Sequence, residues 1–364
     1  MTTIRAAVGP GEVRVVAWDG ELLDACVWRP GSPDGVGDIQ RARVIGVVPA
    51  MAGVFVALAS GEGFLPDSAG GRGLSFGRLV AVRISRAAQG GKGPRLEAVA
   101  MDPGVGPPMV LSRGQDGVTR LAGLHPEAEV VVDDAALAAT LRPALGDRLR
   151  IAPAFDEDIE GAWSDLLEPT VDLPGGARLH VHITPALTAL DVDLGGATSA
   201  RRDKAGAQSA ANQALIPALA RQIRLLNLSG AILADLGGMA AKKRVALAPN
   251  FIAALADDPL APRFLGFTAL GLAEILRPRI HPPLAEVMTG PLAQGLGALR
   301  EAAAMVAAHP ERPLTLRATP AIVTALRQDA VGLTDFAHRA GRAITLVESR
   351  ADPLPSWTIE TTHG

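Results

Sequence analysis

The sequence predicts a multidomain α/β protein with an N-terminal OB-type β-barrel, a central α/β domain and a small C-terminal α/β domain. Three observations lead to this prediction. The chain has 364 residues, more than one domain usually holds, and 48% of them are hydrophobic. Short strand-like segments punctuated by glycine fill the first part of the chain. In the rest, segments with helical periodicity alternate with strand-like segments.

Residues 1–106 form the first predicted region, which contains the barrel at about 36–100. Positions 1–29 alternate in the manner of strands, with Val13 and Val15 on one face. Short strands then recur between glycines at 41–47, 53–58, 63–65 and 79–85. Repeated short strands of this kind predict a small closed barrel of the OB type. Such barrels bind single-stranded nucleic acid by stacking bases on exposed aromatic side chains and contacting phosphates with basic ones.

Residues 107–165 are predicted to form a compact, reduced α/β region. Strands are expected at 108–112 and 129–133, and a helix at 134–145. An acidic cluster lies near Trp163, but its spacing is typical of a helix N-terminus, where carboxylates match the helix dipole. No catalytic group is therefore assigned to this region.

Two short apolar segments of the next region, 166–284, each end in aspartate. One carries Asp191 and Asp193, and the other ends at Asp235. Residues 212–228 between them have helical periodicity, so a strand, helix, strand unit with parallel strands is expected. Because the carboxyl ends of parallel strands lie at one edge of a sheet, the carboxylates should converge and bind a divalent cation. Oxygen ligands favour Mg²⁺ or Mn²⁺ over zinc. The alternative is that these aspartates cap turns at strand ends.

A connection rich in proline and glycine at 285–297 is predicted to link the central domain to a small α/β domain at 298–364. In that domain a helix is expected at 299–308, with strands at 314–318 and 344–349. The connection carries enough apolar residues to contribute to a modest interface between chains, but not to require one.

Several segments resemble the ribonuclease E/G family, in the order in which that family has them. They are residues 175–193, Asn212 with 220–225, residues 228–235 with Met239, and residues 271–280. The resemblance covers nearly the whole chain and implies that the central domain is nuclease-like. It implies that Asp191 and Asp235 hold a Mg²⁺ ion used to hydrolyse RNA, with Mn²⁺ as a possible substitute. Asp193 is expected to ligate the ion or to position water.

The resemblance also gives the barrel an RNA-binding role. It implies that Phe55 and Phe64 stack on bases and that Lys92 is a basic contact; the alternative for either phenylalanine is the barrel core. The net charge of −3 excludes a uniformly basic RNA binder, so local groups of positive charge must carry the binding. The candidates for this role in the central domain, each of which has the alternative of a solvated surface, are Lys242, Lys243, Arg277 and Arg279.

The chain also departs from the family. Asp193 stands where the family usually has asparagine, and Gly238 replaces a further acidic residue. Cys26 is the only cysteine, so the zinc link that the family has near 285–297 cannot form from thiolates. A counterpart of the family's pocket for a 5′ monophosphate is not evident. We therefore expect no zinc, a monomer or a zinc-independent homodimer, and weak discrimination between RNA 5′ ends.

The function predicted from these features is a Mg²⁺-dependent endoribonuclease that cleaves single-stranded RNA in RNA processing or decay. The alternative is a non-catalytic RNA-binding protein that retains the nuclease scaffold. No run of about twenty apolar residues occurs, and the N-terminus lacks a basic stretch followed by an apolar core, so we expect a cytoplasmic protein without membrane contact. The single cysteine agrees with a reducing compartment.

Overall fold

The structure is a computed structural model that describes residues 1–195, 204–349 and 357–361. Contacts divide the chain into two compact units. The terminal unit combines Met1–Gly35, Gly114–Ile159 and Ala285–Gly364, and the central unit combines Val36–Arg113 and Glu160–Leu284. Each unit is therefore assembled from segments that are distant in sequence.

The strands of the described residues are short, as the sequence predicts. In chain order they are β1 Thr3–Gly9, β2 Glu12–Trp18, β3 Leu22–Trp28, β4 Ile39–Val48, β5 Gly53–Ala57, β6 Glu62–Pro66, β7 Leu79–Arg86, β8 Arg95–Ala98, β9 Met109–Ser112, β10 Glu129–Val132, β11 Leu149–Ile151, β12 Thr170–Leu173, β13 Ala177–Ile183, β14 Thr188–Asp193, β15 Gly230–Leu236, β16 Arg263–Phe267, β17 Ala273–Arg277, β18 Leu314–Ala318, β19 Thr345–Glu348 and β20 Trp357–Thr361.

The α-helices of the described residues differ widely in length. They are α1 Gly117–Leu124, α2 Ala135–Leu145, α3 Glu157–Asp165, α4 Lys204–Leu225, α5 Ala241–Arg244, α6 Ala248–Leu255, α7 Leu284–Met288, α8 Pro291–Ala308, α9 Pro320–Gln328 and α10 Ala330–Ala340. None of the described helices is long and apolar enough to cross a membrane.

The terminal unit contains a five-stranded sheet in the order β11-β10-β1-β2-β3. Strands β1 to β3 pair in antiparallel fashion, whereas β10 and β11 add to β1 in parallel. Helices α1 and α2 bury apolar side chains such as Leu121 and Leu141 against Ile4 and Val15 of this sheet. Their N-caps are Asp116 and Asp134, whose carboxylates accept hydrogen bonds from the first turn of each helix.

Residues 107–165 do not form a separate region in the structure. Strand β9 joins the barrel by pairing with β4, and β10 and β11 complete the sheet of β1 to β3. The predicted helix at 134–145 is present as α2. Periodicity within a segment reports which of its faces is buried but not which strand it pairs with, so this assembly could not be predicted from local patterns.

The C-terminal part of the terminal unit has a three-stranded sheet in the order β19-β18-β20, with α8 to α10 packed around it. The connection predicted at 285–297 is largely helical, because α7 ends at Met288 and α8 begins at Pro291. Pro291 is compatible with this start, since the first helical position needs no backbone N–H donor.

The central unit begins with a closed β-barrel. Strands β4, β5, β6, β8 and β7 form a ring that closes where β5 pairs with β4, and β9 extends it. Its core consists of small and branched side chains, among them Val44, Val56, Leu65 and Leu96. This ring confirms the predicted fold class, a multidomain α/β protein with an OB-type barrel. Strand β8 was not among the predicted strands.

The rest of the central unit is built on a six-stranded sheet in the order β12-β13-β14-β15-β17-β16. Strands β14 and β15 are parallel and are connected through α4, so the predicted strand, helix, strand unit is present. The helix begins at Lys204 rather than near residue 212. One face of the sheet is buried, as Leu190 and Ile232 show, and the opposite face is exposed at alternate positions.

Candidate functional site

The three predicted catalytic aspartates lie on the exposed face of this six-stranded sheet. Asp191 and Asp235 are register partners on the neighbouring parallel strands β14 and β15. Strand side chains alternate between faces, and Leu190 and Val192 point to the buried side, so Asp191 and Asp193 share the exposed side. Neighbouring strands lie about 4.8 Å apart, which brings the carboxylates of Asp191 and Asp235 next to each other.

Asp235 is held by a buried arginine. The Arg244 guanidinium donates to Asp235 Oδ1 at 2.6 Å and also to the carbonyls of Met239 and Gly271, each at 2.9 Å. Arg244 is 9% exposed, whereas the Asp235 side chain is about half-exposed, so only one side of the carboxylate is covered. This contact orients Asp235, while the second oxygen stays available.

Asp191 and Asp193 have different surroundings. Among the described residues, the Asp191 carboxylate has no hydrogen-bonding or ion-pair partner. Asp193 Oδ1 accepts a hydrogen bond from the Gly195 backbone at 2.9 Å, which is a local turn contact. His180 is the register partner of Asp191 on β13, and its Nδ1 lies 3.0 Å from Thr170 Oγ1. The imidazole therefore flanks Asp191 and has its orientation set by Thr170.

The two neighbouring carboxylates fit a cation that needs few protein ligands. Among the described residues, no group of three or more histidine, cysteine, aspartate or glutamate side chains could hold a metal. Mg²⁺ is commonly held by one or two carboxylates together with water and substrate phosphate, and Asp191 and Asp235 can supply those two.

The turn that follows Asp235 disfavours a side chain at position 238. Gly238 has a φ of +73°, and a Cβ added there would lie 2.5 Å from Gln208 Nε2. Nearby, Nδ2 of the fully buried Asn212 donates to the Gly237 carbonyl at 2.8 Å, which ties the end of β15 to α4. The positive φ therefore favours glycine at position 238.

Phe55 and Phe64 lie on the outer side of the barrel. They are register partners on β5 and β6, and their ring centroids are 5.3 Å apart at an angle of 59°. Both are half-buried and alternate with the core residues Val54 and Leu65. A Cβ on Gly53 would lie 2.5 Å from the Phe64 ring, so that ring covers the glycine backbone. The pair forms an aromatic surface outside the core.

The predicted lysines are exposed. Lys92 lies in a turn closed by mutual backbone hydrogen bonds with Gln89, and Gly90 and Gly91 supply the positive φ angles of this turn. Lys242 and Lys243 lie on α5, the short helix that follows Asp235 along the chain. All three side chains are accessible to a phosphate.

Arg277 and Arg279 differ sharply although they are two residues apart. Arg277 is 3% exposed, and its guanidinium bonds to Asp258 at 2.6 and 3.3 Å and to Asn227 Oδ1 at 2.7 Å. Its donors are used inside the protein, so the expected RNA contact is not supported for Arg277. The Arg279 guanidinium instead lies over Gly230, where an added Cβ would be 2.3 Å away, and stays partly exposed.

Sequence reasoning missed two neighbours of the aspartates. Arg244 follows two exposed lysines in the sequence, and its burial against Asp235 depends on the fold of residues 239–271. The position of His180 beside Asp191 depends on the register in which β13 pairs with β14. Counting back from the turn at 184–187 would have set that register, since Thr184 and Leu187 hydrogen-bond to each other there.

Comparisons with known proteins point to one family. The model of the ribonuclease E/G family matches residues 135–280. Ribonuclease E of Nostoc sp. is 33% identical over 144 residues, which is 38% of this chain and 20% of that protein. Ribonuclease G of Escherichia coli K12 is 32% identical over 152 residues, which is 41% of this chain and 31% of that protein.

These matches cover only part of this chain and part of each relative. Ribonuclease E of Synechocystis sp. is 33% identical over 140 residues, 38% of this chain and 21% of that protein. The chain therefore matches at most about a third of the length of these relatives. The segment matched by the family model contains all three aspartates but not the barrel. The resemblance predicted from the sequence is confirmed for residues 135–280, a shorter part of the chain than the sequence analysis predicted.

Proposed function

We propose, from the premise that residues 135–280 belong to the ribonuclease E/G family, that this chain is a Mg²⁺-dependent endoribonuclease acting on single-stranded RNA in RNA processing or decay. One observation carries the proposal. Asp191 and Asp235 are adjacent on the exposed face of a sheet inside the family-matched segment. Two carboxylates side by side on an open face are unfavourable without a cation and are suited to binding one.

Asp191 and Asp235 would hold the metal ion, and Mn²⁺ would suit the same oxygen donors. When bound, the ion would lower the pKa of a bound water and stabilise charge on the phosphate. Arg244 would hold the Asp235 carboxylate in orientation through the 2.6 Å contact. Asp193, on the same face of β14, would accept a hydrogen bond from the attacking water.

The barrel and the exposed cations would hold the RNA strand. Bases would stack on Phe55 and Phe64, and such stacking tolerates any base. Lys92, Lys242 and Lys243 would contact phosphates, which adds affinity but no sequence selectivity. We therefore expect selectivity for unpaired RNA rather than for a strict sequence motif.

The test is a cleavage assay on an unstructured labelled RNA, with Mg²⁺ and with EDTA. Wild type should cut internally in Mg²⁺ only, and Asp191→Asn should bind the RNA without cutting it. The matched control is Asp172→Asn, which changes a 90% exposed aspartate on the outer strand β12 of the same sheet. Equal cutting by Asp191→Asn and wild type would exclude the assigned role of Asp191.

A second candidate function is RNA binding without catalysis. Two observations favour it: Arg244 already neutralises one oxygen of Asp235, and Gly238 leaves no acidic residue in the turn beyond. The same assay separates the two functions. RNA that wild type binds but never cuts, in Mg²⁺ or in Mn²⁺, would support the binding protein.

We also propose a monomer or a zinc-independent homodimer in the cytoplasm, and weak discrimination between 5′ monophosphate and triphosphate ends. The first part rests on the single cysteine, Cys26, which is buried in the terminal unit. Light scattering with and without a chelator tests it, since a tetramer that dissociates when zinc is removed would contradict it. A rate ratio above about tenfold between matched 5′ ends would contradict the second part.

A further inference from the structure

We propose that Arg86, Arg95 and Arg279 form a phosphate-binding site beside the aromatic pair Phe55–Phe64. The inference rests on the proposed function in taking RNA as the source of the phosphate. The three arginines all belong to the central unit. We call them the arginine strip.

The strip continues the aromatic pair across neighbouring strands of the barrel. Phe55 of β5 is the register partner of Phe64 of β6, and Phe64 is the register partner of Arg95 of β8. Arg95 is in turn paired with Arg86 at the end of β7, where an irregularity of the ladder between Ile84 and Arg86 leaves Arg86 opposite Arg95. Register partners have side chains on the same face of a sheet. Two aromatic rings and two guanidinium groups therefore follow one another over four adjacent strands.

Arg279 joins the strip from the segment that follows β17. The backbone N–H of Ala87 donates to the Ile280 carbonyl at 2.8 Å, so the residue after Arg86 is bonded to the residue after Arg279. The proximity of the three cations is also visible electrostatically. Burial, followed by the charges of Arg95 and Arg279, lowers the pKa of Arg86. Clustered like charges are unfavourable, and a bound anion would offset that cost.

The arginine strip contains hydrogen-bond donors that have no acceptor in the described part of the protein. Arg86 Nε is buried and has no hydrogen-bond partner within the described part of the chain. Arg95 and Arg279 have no ion-pair partner among the described residues. The nearby Arg83 is different, because Glu97 Oε1 accepts from it at 2.8 Å. Guanidinium donors that have no protein partner are available to phosphate oxygens, with which they form charge-assisted hydrogen bonds.

The strip also leads toward the aspartates. Arg279 lines a cleft of about 520 Å³ together with Ala231 and Leu276, which are register partners on the exposed face of the six-stranded sheet. Ala231 and Asp235 share that face of β15, about 13 Å apart at the usual rise of a strand. A strand of RNA with a base on Phe64 and a phosphate on the strip would enter this face from the end opposite Asp235.

The first experiment uses inorganic phosphate as the probe, so it does not depend on RNA. The thermal midpoint of the full chain is measured against phosphate concentration, with chloride at matched ionic strength as reference. Wild type should gain stability in phosphate, and the double variant Arg95→Gln/Arg279→Gln should not. Arg142→Gln, which changes an exposed arginine on α2, is the control and should respond like wild type. Equal responses of wild type and the double variant would overturn the proposal.

The second experiment measures binding of an unstructured RNA in EDTA by fluorescence anisotropy. Arg279→Gln should weaken binding about tenfold and reduce the slope of log affinity against log salt by about 0.7, the value for one phosphate contact on a single strand. Arg279→Lys should restore most of the slope but less of the affinity, because lysine keeps the charge without the fork of donors. A slope unchanged in Arg279→Gln would overturn an RNA phosphate as the ligand.

Two arms identify the phosphate that is bound. If Arg279→Gln weakens binding equally for RNAs with a 5′ hydroxyl and with a 5′ phosphate, the strip binds an internal phosphate. If it weakens binding only of the RNA with a 5′ phosphate, the strip binds the phosphate at the chain end. If wild type binds and cuts RNA and the arginine variants bind it equally well, the arginine strip is contradicted and the proposed function is not. If wild type responds to phosphate but neither binds nor cuts RNA, the proposed function is contradicted and the phosphate site is not.

Discussion

The sheets of the two units place similar residues in opposite environments. In the terminal unit, β2 is buried from Glu12 to Ala17, although Glu12 and Arg14 are charged. In the central unit, β14 also carries charged residues at alternate positions, but there the charged residues Asp191 and Asp193 are exposed. The difference lies in what covers the polar face. Arg300 of α8 pairs with Glu12, and the Arg14 guanidinium lies 4.7 Å from the centre of the Phe155 ring.

The comparison teaches how burial decides what a strand carboxylate can do. A buried charge must be paired, because desolvation without a partner costs several kcal/mol, so Glu12 is committed to Arg300. An exposed carboxylate keeps its hydration and can exchange water for a cation. The aspartates of β14 and β15 are of the second kind, which is why the proposed chemistry belongs to the central unit.

The largest expected effect separates the two sheets. Asp235→Asn should lower RNA cleavage about 10³-fold or more, because it removes a metal ligand that stabilises transition-state charge by several kcal/mol. RNA affinity in EDTA should change little, whereas the thermal midpoint should fall, because the buried Arg244 loses its carboxylate partner. Cleavage rates and anisotropy on the same preparation measure this. Unchanged turnover at saturating Mg²⁺ would contradict the role of Asp235.

The matched change in the terminal unit is Glu12→Gln. It leaves Arg300 without its carboxylate and should lower stability by about 2 kcal/mol, with unchanged cleavage per folded molecule. Urea unfolding and the cleavage assay would report the two quantities separately. If Glu12→Gln abolished cleavage in fully folded protein, the contrast between the two sheets would not hold.

Arg277 is a buried, paired charge in the central unit, as Glu12 is in the terminal unit. Its ion pair with Asp258 is 2.6 Å long, and both side chains are about 5% exposed. Arg277→Gln should therefore cost about 3 kcal/mol of stability, because it leaves Asp258 buried without a countercharge. The RNA salt slope should not change. The comparison is with Arg279→Gln, for which we expect the opposite pattern: a lower slope with little loss of stability.

Local elements of this fold could be predicted from the sequence, and their assembly could not. The helix at 135–145 follows from periodicity and its Asp134 cap, and the convergence of Asp191 and Asp235 follows from the handedness of a parallel crossover. By contrast, Arg277 and Arg279 look alike in sequence. Their fates depend on Asp258, which lies nineteen residues before Arg277 and meets it only in the folded chain.

The barrel allows the same comparison between a partly exposed side chain, Phe64, and a buried one, Leu65. Phe64→Ala should weaken RNA binding by about 1–3 kcal/mol if a base stacks on the ring. The neighbouring Leu65 is fully buried in the core, so Leu65→Ala should instead cost about 2–5 kcal/mol of stability. Anisotropy and thermal unfolding distinguish the two outcomes. A Phe64→Ala variant that loses stability but keeps its RNA affinity would show that the ring serves packing.

The smallest expected effect concerns Lys242 and Lys243, which are exposed on α5 after the Asp235 strand. Exposed charges gain little from a partner because water already solvates them, so each lysine should contribute about 0.2–1 kcal/mol to RNA binding. A phosphate contact by both lysines would nevertheless lower the salt slope by about 1.4 in Lys242→Gln/Lys243→Gln. Anisotropy across a series of salt concentrations, with Arg142→Gln as control, measures that slope. If it equals the wild-type slope, these lysines are solvated surface, and the path of the RNA passes the aspartates on the side of Arg279.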